Sequence, residues 1–206
     1  MTDSQAAMSA GAISGGMSVQ TLKTRALDVA IEMVGQRGPD HVNLRDIAET
    51  IGTGVSSLYY YFKSKDALLA EVAAEGFGRL EAAVTAARND GLGREPIRSC
   101  GGAYLRFIRE QPMLYKVMYS ERILAGFEVA REAERRAFAT FAAGIADGAP
   151  TQATEDGALA LWAFGRGVAS LSMAHEAAEP GSGHALSRRL VDGLEVLIGR
   201  RIRPPT

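Results

Sequence analysis

Between residues 55 and 65 the chain carries groups suited to hydrogen bonding on a nucleic-acid surface. Val55, Ser56 and Ser57 are small or hydroxylated, Tyr59 and Tyr60 bring phenolic hydroxyls, and Lys63 and Lys65 bring cations. A short helix that enters a major groove needs such side chains, because small residues let its tip approach and hydroxyls meet base edges or phosphates. Leu58 and Phe62 fall on another side of the same helical run and would lock it to neighbouring elements. Lys65, at the start of a following helix, combines a cation with free backbone N–H groups and suits a phosphate.

Other chemistry finds little material. His41, His175 and His184 are scattered, no His/Cys cluster has metal-ligand spacing, and neither a phosphate loop nor a nucleophile elbow occurs. Gly101-Gly102 and Gly181-Ser182-Gly183 are isolated, and His175-Glu176 reads as a solvated pair. No enzymatic activity, metal or cofactor is therefore expected. The single cysteine, Cys100, cannot close an intrachain disulfide and reads as a buried structural thiol in a reducing compartment.

Composition narrows the classes further. The 206 residues are 47% hydrophobic, enough to bury a full core. No apolar stretch approaches the roughly 20 residues that cross a bilayer, and residues 1–18 lack the basic start and apolar core of a signal peptide. A cytoplasmic protein without a membrane partner is expected. A net charge of -1 excludes binding to nucleic acid by bulk charge, so DNA affinity must rest on a few placed groups. Within residues 18–70, Lys23, Arg25, Arg37, Arg45, Lys63 and Lys65 balance Asp28, Glu32, Asp40, Asp46, Glu49 and Asp66. A positive face there requires sorting, with Lys23, Arg25, Arg45, Lys63 and Lys65 toward DNA.

These groups must be held by helices. Residues 1–18 are small and polar and read as a disordered arm. Leu22, Ala26, Val29, Ala30 and Met33 recur at helical spacing until Gly35–Gly38. Asn43 sits as an N-cap with Asp46 three residues on, ahead of the apolar face Leu44, Ile47, Ala48 and Ile51. Gly52-Thr53-Gly54 then forms a tight connector into the tyrosine-bearing helix, and two short helices joined this way read as helix-turn-helix. Ser64-Lys65-Asp66 caps a long helix reaching toward Arg88, where Asn89-Asp90-Gly91 and Gly93 break the pattern. Further helices are expected at Pro96–Arg109, Pro112–Leu124, Gly126–Ile145, Thr154–Ala178 and Ser187–Arg203, with Pro180–Gly183 a loop and Pro204-Pro205 a frayed tail. No segment shows strand alternation. The expected fold is all-α, with about nine helices in two parts: a three-helix DNA-binding domain over 19–66 and a helical ligand-binding and dimerisation domain over 67–206.

Asn43-Leu44-Arg45-Asp46-Ile47-Ala48, followed by Gly52 and by Ser57-Leu58-Tyr59-Tyr60-Tyr61-Phe62-Lys63-Ser64-Lys65-Asp66-Ala67-Leu68, resembles the signature of the tetracycline-repressor (TetR) family of bacterial regulators. The resemblance covers residues 20–70 and implies a two-fold dimer on a palindromic operator. It implies phosphate or groove contacts from Asn43 and Arg45, base contacts from Val55, Ser56, Ser57, Tyr60 and Tyr61, and phosphate contacts from Tyr59 and Lys65. Thr53-Gly54 stands where Val-Ser is more usual, which removes a polar side chain at the mouth of the reading helix.

The second half carries a weaker resemblance. Phe107–Tyr119 and Leu161–Leu171 are similar to a TetR C-terminal subgroup marked by a tryptophan, histidine and glycine pattern, with Trp162 and Gly167 in place and Arg166 where the histidine stands. Read from the residues alone, Leu159–Ser172 is apolar nearly all round, and Leu186, Leu190, Leu194 and Leu197 form a stripe on the last helix. With Leu171, these two helices fit a four-helix interface with a second copy, or an ordinary intramolecular core. Tyr104, Phe107, Met118, Tyr119, Phe138, Phe141 and Trp162, with Arg166 and Tyr104 as polar anchors, either line a cavity for a small apolar or amphipathic effector or fill the core. A repressor released by that effector is the expected function. The alternatives are an activator of the same fold and a helical adaptor without DNA binding.

Overall fold

The computed structural model describes residues 19–90, 96–146 and 151–202, with backbone alone at 19–21, 195 and 197–202. The expected N-terminal arm, the glycine break at 91–93, the Pro204-Pro205 tail and the side chain of Leu197 lie outside the described residues. Among those residues every regular element is helical: Val19–Arg37 (α1), a 3-10 turn Pro39–His41, Leu44–Ile51 (α2), Val55–Tyr61 (α3), Lys65–Asp90 (α4), Pro96–Glu110 (α5), Pro112–Met118 (α6), Glu121–Gly126 (α7), Glu128–Ile145 (α8), Gln152–Ala178 (α9) and Ser182–Ile202 (α10). None is long and apolar enough to cross a membrane.

The N-terminal unit forms because each short helix has one apolar side and a defined stop. Ala26, Ala30 and Val34 of α1 meet Leu44, Ile47, Ala48 and Ile51 of α2 and Leu58 of α3, all buried. Asn43 caps α2, its Oδ1 accepting from the Asp46 N–H at 2.9 Å, and Gly52 ends it in the left-handed region (φ 71°) with its N–H reaching back to Ala48 and Glu49. The Ser64 hydroxyl accepts from the Ala67 N–H at 3.0 Å and starts α4.

Helix α4 runs on from the reading head into the second domain and is the axis of its core. It packs most extensively on α8 and also meets α5 and α6. Gly76 is the residue that lets α6 come close, since a Cβ there would lie 2.7 Å from Met118.

Three boundaries differ from those expected. The helix expected over Pro112–Leu124 is two, parted at Tyr119-Ser120, where the Ser120 carbonyl accepts from Ile123 and Leu124. The break seats the Tyr119 ring edge-on to Phe77 with centroids 5.3 Å apart. Helix α9 starts at Gln152 on a Thr151 capping box closed by Thr154. Helix α10 starts at Ser182 and not at Ser187, because the Glu176 carboxylate accepts from the Gly181 and Gly183 N–H groups at 2.8 and 3.0 Å and satisfies donors that would otherwise be orphaned at its first turn. These backbone bonds also hold the Glu176 carboxyl below the usual carboxylate range. Glu176, exposed as the sequence reading had it, is thus also a structural cap between helices, and the Pro180–Gly183 loop shrinks to a turn at Pro180-Gly181.

Candidate nucleic-acid interface

Helix α3 is anchored from behind. Leu58 and the following Phe62 are fully buried, and Val55 and Tyr61 are half-buried against the same core. What remains outward is Ser56, Ser57, Tyr59 and Tyr60, with the two tyrosine side chains 51% and 72% exposed. Exposed tyrosines of this size leave apolar ring surface in water that folding does not use. Tyr61, half-buried, braces α3, its ring edge-on to Tyr60 at 5.2 Å and to Phe62 at 6.5 Å.

The cations sort less simply than their number allowed. Lys63 lies on the outer face, its Nζ donating to the Tyr60 carbonyl at 2.9 Å and standing 5.2 Å over the Tyr60 ring, which orients that ring. Arg45 and Asn43 are exposed at the start of α2, beside α3. Lys65 donates to the Asp40 carbonyl at 2.7 Å at the surface and so ties α4 to the α1–α2 connection. Lys23, expected toward DNA, is paired with Glu71 at 2.8 Å, and Arg25 donates to the Ile51 carbonyl at 3.5 Å. Lys63 is therefore a stronger candidate contact than its omission from the motif's carried-over residues implied, and its signal was the i, i+3 spacing from Tyr60.

Asn43 serves the helix as well as any ligand: its amide also donates to Asp46 Oδ2 at 2.8 Å. Asn43→Ala is expected to lower stability by about 1 kcal/mol through the lost cap, read as a shift in urea midpoint at unchanged slope. A midpoint equal to the parent's would show that the cap contributes nothing.

Residues 26–72 match the family of bacterial regulatory proteins, tetR family, and residues 97–194 match the tetracyclin repressor-like C-terminal domain. The chain belongs to the TetR family. It is 27% identical over 142 residues, 67% of this chain and 70% of the relative, to the HTH-type transcriptional repressor KstR of Mycolicibacterium smegmatis. Among solved structures it is similar to a protein with unknown function from Rhodococcus sp. RHA1, at TM-score 0.65 and 22% identity over 88% of this chain and 97% of that one. A TetR transcriptional regulator from the same organism aligns at TM-score 0.59 and 20% identity over 86% and 97%. A TetR-family chain with a helix-turn-helix is a transcriptional regulator.

In this TetR chain the aromatic stock of the second domain packs upon itself. Tyr104 stacks on Trp162 with centroids 4.7 Å apart and planes 5° from parallel, touches Phe141, and shares a 2.9 Å hydroxyl contact with Tyr115. Phe138 lies edge-on to Trp162 at 5.5 Å, and Phe107 and Met118 are buried in the same core. Tyr119 lies 4.6 Å from Tyr115, capped on its outer face by the exposed Arg166 guanidinium 4.3 Å from the ring. Tyr104, Phe107, Met118, Phe141 and Trp162 are buried in this core, Tyr119 and Phe138 are half-buried at its edge, and Arg166 is exposed; none of the eight lines the cavity at Ala169–Met173 or the one at Ile97 and Phe164. The physical reason is Gly165, which lets α9 close onto Tyr104 and leaves no space between them. Cys100 is buried as expected, its thiol pushed up by burial and directed at the Gly144 carbonyl.

The last two helices present an apolar outer side. Helix α10 rests chiefly on α9, Leu171 is 51% exposed, and Leu186, Leu190 and Leu194 are half-buried along α10. Leu159 and Val196 add further exposed apolar surface on the same two helices.

Proposed function

We propose that this protein is a cytoplasmic, homodimeric repressor that reads a palindromic operator through Ser56, Ser57, Tyr59 and Tyr60 of α3, with Asn43, Arg45 and Lys63 on phosphates, and that a small effector releases it. The observation that carries the reading is Tyr60, which stands outward on a short helix whose opposite side is locked by Leu58 and Phe62. Base-edge hydroxyl contacts and phosphate pairing are the chemistry such a face offers. Dimerisation is supported by the exposed Leu171 and the leucine stripe of α10, which one layer of packing leaves incompletely covered, and two-fold pairing would set two reading heads one or more helical turns apart. An effector that favours a different separation of the heads lowers operator affinity by its differential binding to the two arrangements.

The test is a titration of the purified protein against fragments of DNA flanking its own gene at two salt concentrations. Tyr60→Ala is expected to lose about tenfold or more in affinity for the preferred fragment, the scale of one good base contact, with an unchanged melting midpoint. Arg45→Ala is expected to weaken all fragments alike and to reduce the slope of log affinity against log salt by about one. Equal, weak binding to every fragment by the parent protein would end this reading.

A further inference from the structure

Helix α7 has only six residues, yet two contacts fix it to the body of the second domain. The Ile123 side chain is buried in the core. The Arg131 guanidinium of α8 donates through Nη1 to the Leu124 and Ala125 carbonyls, both at 2.8 Å, and so satisfies acceptors left open in the last turn of α7. Arg131 is itself held by Glu128, its Nε and Nη2 donating to one carboxylate oxygen at 2.9 and 2.6 Å. Arg122, next to the buried Ile123, therefore projects from a fixed support.

The target of Arg122 lies on another element. Its Nη1 meets both carboxylate oxygens of Asp66, at 2.5 and 2.6 Å, in the first turn of α4. Asp66 is the neighbour of Lys65, which donates to the Asp40 carbonyl in the α1–α2 connection. It also follows Ser64, whose hydroxyl caps the same turn and which stands two residues beyond the buried Phe62 that closes α3. One turn of helix is thus held by the body through Asp66 and by the reading head through Lys65.

This pair does little for global stability, since the Arg122 side chain is 64% exposed and a charge pair in water contributes little to folding. Its effect is on orientation. Residues 65–67 are half-buried, whereas Leu68, Leu69 and Ala70 are enclosed, so the first turn is the part of α4 that lateral ties must steady. The other attachments of the head, the packing of α1 on α6 and the Lys23–Glu71 pair, both run through α1. Without Arg122 the head keeps its own contacts but swings more widely about α1. In a two-headed reader such swinging lowers the effective concentration of the second head at its half-site, while what each head touches stays the same.

We propose that Arg122 is a positioning residue for DNA reading: its pair with Asp66 steadies the first turn of α4, fixes the orientation of the reading head on the second domain, and so narrows the half-site spacing that the dimer accepts. The inference rests on the dimeric regulator reading above and adds a residue of the second domain to those that set operator choice.

The experiment compares the parent with Arg122→Ala, Arg122→Lys, Asp66→Asn and the double variant Arg122→Ala/Asp66→Asn on the preferred operator, on the same operator with a base pair inserted between its half-sites, and on a single half-site. Arg122→Ala is expected to bind the preferred operator about three- to tenfold more weakly and to lose most of the parent's preference over the lengthened one. It should bind the single half-site as the parent does. Arg122→Lys, which keeps a nitrogen for the carboxylate, should recover part of the loss, and the double variant should lose no more than either single one. The melting midpoint should move by no more than about 2 °C. A role in stability alone would not separate two-site DNA from the half-site. Independently of DNA, nitroxide labels on Glu49→Cys in the head and Arg106→Cys in the body, in labelled chain diluted with unlabelled chain, report the orientation as a spread of distances. Both positions are exposed, whereas Cys100 is buried away from the reagent. The spread should be wider in Arg122→Ala than in the parent. A spacing preference equal to the parent's overturns the proposal, and so does an equal loss on operator and half-site. Should the parent bind none of these DNAs, the regulator reading fails by itself; an unchanged spread of distances then overturns the orienting role of Arg122 as well, and a wider one upholds it.

Discussion

Gly165→Ala is expected to be among the most damaging single substitutions in the chain, costing about 3 kcal/mol or more and lowering the melting midpoint by roughly 6–12 °C. A Cβ at Gly165 would stand 2.0 Å from Tyr104 Cε1 and 2.8 Å from Cδ1. No shift of the ring relieves this cheaply. Tyr104 is fully buried, stacked on Trp162, packed against Phe141 and tied through its hydroxyl to Tyr115. Either α9 moves away from α5, opening the core at Trp162, or the Tyr104 stack is broken. Urea unfolding of the single variants and of the double variant Gly165→Ala/Tyr104→Leu checks the mechanism, because a smaller residue at 104 should absorb the methyl. The double variant is expected to lose about 2 kcal/mol less than the sum of its parts. A Gly165→Ala protein within 1 kcal/mol of the parent would mean that α5 and α9 are not held as described.

The second large effect is alkaline instability. Tyr104, Tyr115 and Tyr119 form one buried cluster, and burial pushes all three hydroxyls well above the ordinary phenol range. Repulsion between neighbouring phenolates adds to this, from Tyr119 on Tyr104, from Tyr104 on Tyr115, and from Tyr115 and then Glu134 on Tyr119. Arg166 opposes the shift at each, without cancelling it. The folded chain therefore keeps three protons that the unfolded chain releases above a pH of about 10. The stabilisation from keeping these groups neutral is fully present below that pH and is lost as pH rises, at about 1.4 kcal/mol per pH unit for each tyrosine and so about 4 for the three. Urea unfolding at successive pH values from 9 to 11 should show this slope setting in near 10. The ultraviolet signal of tyrosinate should show half of the 6 tyrosines ionising only as the chain unfolds. Ionisation of all six with the fold intact would refute the burial argument.

The reading head was legible in the sequence because its determinants are local. Asn43 and Asp46 form a cap three residues apart, Gly52 supplies the left-handed stop, and Leu58 and Phe62 repeat at the spacing of one helical face. With Leu58 and Phe62 inside, Tyr59 and Tyr60 must point out, and they do. How far Tyr61 is exposed was not legible, because a residue at the flank of a short helix is turned in or out by the neighbour it meets, here the core behind α3. The partners of Lys65 and Lys23 were not legible for a related reason, since a lysine goes to whichever acceptor lies within its reach. Those acceptors, the Asp40 carbonyl and Glu71, are supplied by other elements.

The pattern of residue types along the chain was thus enough to establish an all-helical fold, a helix-turn-helix near the N-terminus and the outward tyrosines that make it a candidate reader of DNA. Periodicity, caps and glycine stops act within a turn or two of helix, and no distant contact is needed to interpret them. The fate of the second domain's aromatic residues was decided only by the folded chain. Whether Trp162 and Tyr104 wall a cavity or fill one depends on how closely α5 and α9 approach, and that distance is set by Gly165 meeting a ring sixty-one positions away. The same packing leaves its gap further along α9, at Ala169 and Ser172, whose short side chains meet no complementary bulk at the turn into α6. Space in a core is a difference between the volumes that two surfaces bring together, and one strand of sequence states only one of those volumes at a time.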